Sequence, residues 1–445
     1  MGEKKHDEPV ALDGSKIDQI YEDQTYSHDA VFGEITGDGP NYRNVGWLGT
    51  AALMMKTQIR LGVLSIPVAF DTLGLVPGGN ILCVIAAFTT WSDYVIDDFK
   101  LRHRDVYGID DAGGLMFGNP GRYQFGFAFC LYWVFVAGSG MLGISISLNA
   151  VSTHGACTAI FVAVAAIVGF MLSSIQTLGR ISWVAWVGLF CILTSSGAVF
   201  IVTIAVGVQD RPASAPQIGG VWVSDYKIVA SPSFSDAIAA ASSIVFDCLC
   251  TVVTSVYLAI GFVVYYYCGS YVASPALGSA GPTMKKISYG FALPGLIAST
   301  MLVIHLPAKY IFIRLLQGSR HLTANTVVHW VSWLGCTLGI TVVAYIIASA
   351  IPVFNNLVSL IGALLGTMMS FQPMGCMWLY DHWSQGKMDR SPKWILMVCW
   401  SIFIVLSGTF LMIAGTYGSV VSIVNSYRES GGPAAWSCAD NSNST

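Results

Sequence analysis

Ten apolar runs, nearly all about 20 residues or longer, lie between Gly46 and Gly418. About 20 residues of helix are needed to cross a bilayer. Composition agrees, since 54% of the residues are hydrophobic and 11% are charged, whereas soluble domains carry roughly 25% charged residues. Inside lipid every backbone polar group must be paired internally, so only helices or closed barrels span a membrane. Because the runs are continuous rather than alternating, we predict an all-α, polytopic membrane protein.

The net charge and the cysteines exclude several other classes. A net charge of −3 gives no basic surface for nucleic acid. Cys248 and Cys250 lie two residues apart, unlike the ligands of a zinc site. The sequence shows no nucleophile–base pair, metal-ligand set or phosphate loop, so we predict no enzyme activity, cofactor or metal. Most of the eleven cysteines lie inside apolar runs, where we expect small hydrophobic side chains: Cys83, Cys130, Cys157, Cys191, Cys336, Cys376 and Cys399.

Three regions follow from this pattern. Residues 1–43 hold ten Asp or Glu against four Lys or Arg and no apolar stretch, which predicts a flexible acidic tail. Its lysines are candidate acceptors for the ubiquitin machinery. Residues 44–425 form the membrane domain, and residues 426–445 form a short final tail. The predicted spans are 46–70, 73–95, 124–150, 156–176, 182–207, a problem segment at 236–268, 287–313, 327–350, 357–380 and 394–417.

Lys and Arg in the connecting loops predict the orientation. Basic residues occur in 98–123, before the fifth span, after 287–313 and in 381–393, whereas 71–77, 152–155 and 351–356 contain none. The alternation places the basic loops and the N-terminus in the cytosol and the C-terminal tail outside.

The problem segment conflicts with this alternation. The charge rule requires residues 234–269 to enter and leave on the same outer side. Two crossings need about 40 residues plus a turn, and only about 33 are available. We therefore predict a half-helix, Ser235 to Phe246, joined directly to a full span that starts near Asp247. A segment is missing at this junction.

The first span is interrupted by residues that are unusual in a membrane helix. It contains Lys56, Arg60, Gly62 and Pro67. A broken helix at membrane depth is tolerated where it lines a cavity, and in transporters such breaks bind substrates. A kinked structural helix is the alternative, because Gly and Pro are common in membrane helices. The ionisable pair favours the functional interpretation.

Two further positions are candidates. His305 lies in the middle of a span, where it could relay protons; the alternative is a buried imidazole bonded to a neighbouring carbonyl. Ser139 lies between Gly138 and Gly140, and small residues of this kind permit close helix approach.

Several motifs resemble the fungal neutral amino acid permeases of the amino acid/auxin permease family, which belongs to the APC superfamily. They are Asn41–Gly49, Lys56–Pro67, Tyr107–Gly114, Leu131–Gly140, Ile304–Lys309 and Ser370–Cys376. The resemblance covers essentially the whole chain from Phe32. It implies a LeuT-type fold with two inverted five-helix repeats and an eleventh helix, of which about ten spans are present here. It also implies a symporter that moves amino acids by alternating access, at the plasma membrane rather than the vacuole.

The resemblance also implies a substrate site between the first, third and sixth helices. Its candidate residues are Thr57, Arg60, Leu61, Gly62, Val63, Leu64, Ser65, Ser139 and Phe246.

Two departures from the family pattern bear on function. Relatives have glycine at the position of Arg60, where bare backbone holds the substrate carboxylate; a guanidinium there pairs with the carboxylate or, as we expect, obstructs the site. Relatives also continue the sixth helix after Phe246, whereas this chain passes straight to Asp247. The sequence thus predicts a proton-coupled importer of neutral amino acids, with a non-transporting receptor or inactive relic as the alternative.

Overall fold

The computed structural model describes most of the membrane domain. The long described ranges are 65–176, 222–245, 251–279, 282–319, 325–351, 353–384 and 390–429. Shorter described pieces are 49, 186–188, 190–191, 194, 212, 215–216, 321–322, 436 and 438–442.

Helices account for almost all of the long described ranges. They are α1 Ile66–Leu73, α2 Leu75–Arg102, α3 Ile109–Ser152, α4 Thr158–Ser173, α5 Phe234–Val245, α6 Thr251–Cys268, α7 Pro282–Leu316 and α8 Val327–Ala350. After these come α9 Phe354–Leu360, a π-helical turn Ile361–Gly366, α10 Thr367–Ser370, α11 Gln372–His382 and α12 Pro392–Glu429. Two short 3₁₀ turns, Gly269–Tyr271 and Ala276–Ser279, connect α6 to α7.

The predicted all-α membrane class is confirmed. Six helical segments among the described residues are long and apolar enough to cross a membrane, and α4 and α5 are shorter apolar helices. The crossing segments are α2, α3, α7, α8, the run Phe354–His382 and α12.

The prediction that 98–123 is a loop was wrong. Helix α2 continues to Arg102, and α3 already begins at Ile109. The chain turns within α3 at Gly118, whose φ of 71° and ψ of −160° suit glycine alone. Pro120 follows this turn and starts the long helix that crosses the membrane. Asp110, Asp111 and the glycines that follow at 113 and 114 made this stretch resemble a loop, but it forms a helix before the span.

Helices α5 and α6 agree with the predicted half-helix and full span. Helix α5 has 12 residues and α6 has 18, which correspond to roughly 18 Å and 27 Å at 1.5 Å per residue. Only α6 approaches the ~30 Å thickness of the hydrocarbon core. Residues 246–250, which include the predicted junction, lie outside the described part of the chain.

The helices pack as two groups. Helices α1 and α2 contact each other and both contact α5 and α6, and α3, α4, α7 and α8 form a second set of mutual contacts. The π-helical turn and α9 contact α5 of the first group and α3 of the second, and α11 contacts α2 and α3. The interrupted helix from α9 to α11 therefore lies between the two groups.

A loop before α5 ties the first group together at one end. The amides of Leu75 and Val76 donate to the carbonyls of Lys227 and Ile228 at 2.9 and 3.0 Å, and Ala230 N donates to Leu73 O at 3.2 Å. Gly74 makes this approach possible, because it has a φ of 94° and a Cβ there would lie 2.6 Å from Ala230 N. Helix α5 consequently starts beside the end of α1.

The same end of the bundle carries a disulfide between Cys157 and Cys438, and we call it the disulfide end. The expectation that Cys157 is only a small hydrophobic residue was wrong. Cys157 precedes the first residue of α4, so its thiol lies at the helix end and reaches a cysteine 281 residues away in sequence.

Residues 438–442 pack onto the second helix group. The Asn441 amide accepts a hydrogen bond from Asn149 Nδ2 at 2.7 Å and donates one to Ser145 Oγ at 3.0 Å. Lys285, almost fully buried, donates to the Ser442 carbonyl. This part of the predicted tail is an integral piece of the bundle.

The opposite end, which we call the ion-pair end, holds the basic loops. Arg314 at the end of α7 pairs with Asp111 near the start of α3 at 2.9 Å, and His103 after α2 contacts Asp381 in α11 at 2.7 Å. Helix α6 ends at the disulfide end, where Ser270 N donates to Asp225 Oδ1 at 2.9 Å. The segment from α5 to α6 thus enters and leaves on one side, as the charge distribution requires.

Candidate functional site

Two half-length helices lie side by side within the first group. Helices α1 and α5 contact each other, and the loop at Ala230 brings the start of α5 to the end of α1. The two helices therefore run antiparallel.

Helix α1 begins where the sequence predicts a break in the first span. Pro67 occupies its first turn, a position that suits proline because the ring presets φ and the missing N–H has no helical partner. Ser65 precedes the helix and is fully buried. Ile66 and Phe70 of α1 face Gly261 of α6, where a Cβ would lie 3.0 and 3.1 Å from their side chains.

Only two of the predicted substrate-binding residues fall within the described part of the chain, Ser65 and Ser139. The others lie outside it: Thr57, Arg60, Leu61, Gly62, Val63, Leu64 and Phe246. Their roles stay predictions.

Ser139 is buried in α3 and donates to its own helix at Val136 O, 2.8 Å away. Its glycine neighbours permit close packing, as expected. A Cβ at Gly138 would lie 3.1 Å from the Ala344 carbonyl of α8, and one at Gly140 would lie 2.5 Å from Thr300 Oγ1 of α7.

Sequence analysis missed the π-helical turn Ile361–Gly366. It contacts both α3 and α5, and a Cβ at Gly366 would lie 3.6 Å from Val245 at the end of α5. Single π-turns inside α-helices occur frequently at functional sites. The one sequence signal is the pair of glycines, Gly362 and Gly366, within an apolar run.

His305 lies elsewhere. It is fully buried in α7, with its ring centre 5.0 Å from that of Trp333 in α8. Within the described residues neither ring nitrogen has a hydrogen-bond partner, and the carbonyls of Ser173 and Ile175 approach it without reaching hydrogen-bond geometry. His305 thus lies inside the second helix group rather than between α1 and α5.

A charged pocket lies at the ion-pair end, between the start of α3 and the end of α7. Arg314 contacts the carboxylates of both Asp110 and Asp111, and the Tyr310 hydroxyl donates to Asp110 Oδ2 at 3.1 Å. Arg122 reaches Asp111 from the other side at 3.5 Å. The cavity beside this cluster has a volume of about 490 Å³.

The family to which this chain belongs follows from its sequence. Residues 43–246 and 242–421 match the family described as transmembrane amino acid transporter protein. The chain belongs to this family. Its members are membrane transporters rather than enzymes.

Curated fungal proteins are similar over nearly the full length of this transporter. A transmembrane transporter of Gibberella moniliformis is 33% identical, covering 91% of this chain and 90% of the relative. The N amino acid transport system protein of Neurospora crassa is 29% identical, covering 89% of each chain.

Two solved transporter structures cover most of the chain at low similarity. A crystal structure of a mutant manganese transporter of Eremococcus coleocola is 12% identical, with a TM-score of 0.41, and covers 87% of this chain and 98% of the other. A substrate-bound, outward-open Na⁺-coupled sialic acid symporter is also 12% identical, with a TM-score of 0.36, covering 84% and 98%.

The family match divides where the sequence predicts a missing segment. Its first part ends at Phe246 and its second part begins at Ser242. The alignment with the Gibberella transporter extends over 434 positions but includes only 91% of the 445 residues of this chain. Some residues of the relative therefore have no counterpart in this chain.

Proposed function

We propose that this transporter imports neutral amino acids together with protons by alternating access. The observation that carries the proposal is the antiparallel pairing of α1 and α5, the two helices next to the predicted substrate residues Leu61–Leu64 and Phe246. Half-helix N-termini of this kind bind anionic groups of substrates, and free carbonyls bind cationic ones. A zwitterionic amino acid carries both groups.

The two helix groups supply the moving parts. The first group is held together by the loop at Lys227 and Ile228, and the second by the close contacts of Gly138 and Gly140. Movement of one group against the other opens the central space to each side in turn. The interrupted helix from α9 to α11 contacts both groups, and its π-helical turn is where we expect it to bend.

We place the substrate at Thr57, Arg60–Ser65, Ser139 and Phe246. The stretch Leu61–Leu64 supplies backbone amides to the carboxylate. The name of the Neurospora relative, an N amino acid transport system protein, supports an amino acid substrate. Residues Ile66, Phe70 and Val245 beside this space are apolar, which favours neutral side chains.

We assign proton coupling to His305. Its imidazole is fully buried in α7 beside the backbone carbonyls of Ser173 and Ile175, and an imidazole ordinarily exchanges protons near neutral pH. A proton bound there adds a charge inside the second helix group, against the aromatic ring of Trp333.

The disulfide supports an orientation with the N-terminus in the cytosol. Disulfides persist in oxidising compartments, and Cys157 and Cys438 lie at the end that the charge distribution assigns to the outside. We place the protein in the plasma membrane, with the N-terminal lysines available to the ubiquitin machinery.

A non-transporting receptor or inactive relic is the second candidate. The division of the family match at Phe246 favours it, because the missing residues would continue α5 through half of the substrate site. Arg60 favours it as well.

Uptake of radiolabelled alanine, leucine and phenylalanine by permease-deficient yeast separates the two candidates. We compare the native chain, an Arg60→Gly variant, and a chain that has both Arg60→Gly and the Gibberella segment inserted after Phe246. Uptake by the native chain refutes the relic. Uptake by the repaired chain alone supports a relic of an amino acid transporter.

If all three chains reach the surface and none accumulates label, the transport proposal fails. The His305→Gln variant tests coupling in whichever chain is active. We expect it to abolish acid-stimulated uptake while exchange of amino acids across the membrane continues. A parallel loss of both activities would assign His305 a packing role instead.

A further inference from the structure

The charged pocket at the ion-pair end lies away from α1 and α5. We call it the ion-pair pocket and define it by six side chains that line it: Asp105, Asp110, Asp111, Arg122, Lys309 and Arg314. At about 490 Å³ it falls within the range of small-molecule sites, roughly 300–1,000 Å³. It opens at the end of the bundle that the charge distribution assigns to the cytosol.

One part of the pocket is a fixed framework. Asp110 is 3% exposed and has two partners, Arg314 and the Tyr310 hydroxyl. Arg314 also pairs with Asp111 and lies over the Tyr310 ring at 5.6 Å. Buried carboxylates are stable only when they are paired in this way, so this part is committed to holding α3 against α7.

The rest of the pocket is accessible to a ligand. The Arg122 side chain is 46% exposed, and its 3.5 Å contact with Asp111 is longer than the contact that Arg314 makes with the same carboxylate. Asp105 is exposed on the rim. Arg122 and Asp105 therefore offer one positive and one negative group that can change partners.

The charge balance of the lining selects the class of ligand. Three carboxylates and three cationic side chains give the pocket no net charge at neutral pH. A phosphate or nucleotide would meet the carboxylates, and a metal ion would meet the cations, so each would be opposed by like charge. A zwitterion can pair with both signs at once.

The neutral part of the lining fits an apolar side chain. Leu306 and Ile313 of α7 contribute aliphatic surface to the same cavity. Leu306 and Ile313 are seven residues apart, which is about two helical turns. They therefore lie on the face of α7 that also carries Lys309 and Tyr310. The pocket thus combines a pair of opposite charges with an apolar wall.

We propose that the ion-pair pocket binds a free neutral amino acid from the cytosol. Its carboxylate pairs with Arg122, its ammonium group pairs with Asp105, and its side chain contacts Leu306 and Ile313. The occupant bridges the start of α3 and the end of α7, so that cytosolic amino acid stabilises this end of the second helix group. This site is separate from the proposed transport site and does not depend on transport activity.

Equilibrium binding to the full chain in nanodiscs tests the proposal. We measure binding of ¹⁴C-labelled alanine, leucine and phenylalanine to the native chain and to two arginine variants. Arg122→Gln should weaken binding at the pocket roughly tenfold or more, as expected for loss of one charge-assisted hydrogen bond. Arg102→Gln is the matched control, because Arg102 pairs with Asp98 in α2 and does not line the pocket. It should bind as the native chain does.

The stoichiometry separates this proposal from the transport proposal. If both sites bind, Arg122→Gln reduces two bound molecules to one; if the central site is inactive, it reduces one to none. Native binding that is unchanged in Arg122→Gln overturns the pocket, whatever the uptake assay shows. Absence of any binding of the three amino acids to the native chain overturns it as well.

Two competitors and one change of lipid test the ligand chemistry. N-acetyl-leucine lacks the ammonium group and leucinamide lacks the carboxylate, so neither should displace leucine from the pocket. A phospholipid headgroup also carries opposite charges. If leucine binds only in nanodiscs that lack phosphatidylethanolamine and phosphatidylcholine, the pocket is a lipid site and the proposal is wrong.

Discussion

Gly74 provides the sharpest test of how the first helix group is held together. It has a φ of 94° and a ψ of 161°, a region of backbone conformation that is essentially restricted to glycine. A Cβ at this position would lie 2.6 Å from Ala230 N and 2.8 Å from the Val229 Cα. Both neighbours are backbone atoms, so no side-chain rotation relieves the contact. Gly74→Ala should therefore displace the loop from the junction of α1 and α2.

The expected cost follows from two contributions. The backbone strain costs about 1–3 kcal/mol, and the hydrogen bonds of Leu75, Val76 and Ala230 across this junction contribute about 1 kcal/mol each. With part of those bonds lost, Gly74→Ala should destabilise the protein by about 3–5 kcal/mol. The melting temperature of the detergent-solubilised protein should fall by roughly 3–6 °C, because a chain of this length shifts by about 1 °C per kcal/mol.

Fluorescence-detected size-exclusion chromatography after heating measures this shift. Gly339→Ala is the matched control, because Gly339 lies in α8 and a Cβ there meets nothing within 4 Å. Alanine favours helix over glycine by about 1 kcal/mol, so the control should melt at or above the native temperature. Equal melting temperatures for the two variants would show that the loop does not hold α1 and α2 as described.

Three further outcomes are expected. Intact cells should incorporate a membrane-impermeant maleimide at Cys157 and Cys438 only after reduction, and a gel shift before reduction would contradict the disulfide. Burial alone would raise the pKa of Asp225, but the Ser270 hydroxyl and amide donate to its carboxylate and lower that pKa below its usual value. The stabilisation is therefore present above about pH 4 and lost as pH falls through the folded-state pKa, so thermal melts of Asp225→Asn and native protein should differ at pH 7 and converge once the pH falls below that pKa. Trp91→Phe should leave the melting temperature unchanged or raise it, because Trp91 Nε1 is buried with no partner among the described residues and an unpaired donor is costly; a clear fall would show that the lost packing of the indole ring outweighs this cost.

Much of the architecture follows from sequence because lipid imposes one strong rule. Continuous apolar length predicts each crossing, and the distribution of Lys and Arg predicts which ends lie together. The pairing of Arg314 with Asp111 and of His103 with Asp381 brings the basic loops to one end, as the charges require. The shortened α5 was predictable from the same two rules, since no other arrangement satisfied both length and charge.

The details that depend on distant partners were not predictable. The disulfide joins Cys157 to a cysteine 281 positions later, and the apolar sequence after Cys157 indicated an ordinary membrane residue. The helix from Ile109 begins with Asp110 and Asp111. In the sequence these residues are typical of a loop, and their pairing with Arg314 is known only from the structure.

The candidate site was predictable only in outline. Proline and glycine in the first span indicated a break, and α1 starts beside Pro67 as that reading requires. The π-helical turn Ile361–Gly366 has no periodic signal of its own, because it shifts the register of an otherwise continuous apolar helix. His305 was a candidate from its place in the middle of a span, but the sequence did not predict that it packs against Trp333 in the second helix group.

The disulfide and the hydrogen bonds of residues 438–442 make the end of the chain part of the folded bundle. A product that stops after α12 would leave the Lys285 ammonium group, Ser145 and Asn149 without the groups that Asn441 and Ser442 supply. Each hydrogen bond lost in this way costs about 1 kcal/mol, and Cys157 would lose its disulfide partner. Such a chain would keep all of its membrane spans but would have a less stable second helix group. A nonsense mutation in the last few codons should therefore lead to degradation of the protein rather than to a shortened functional form.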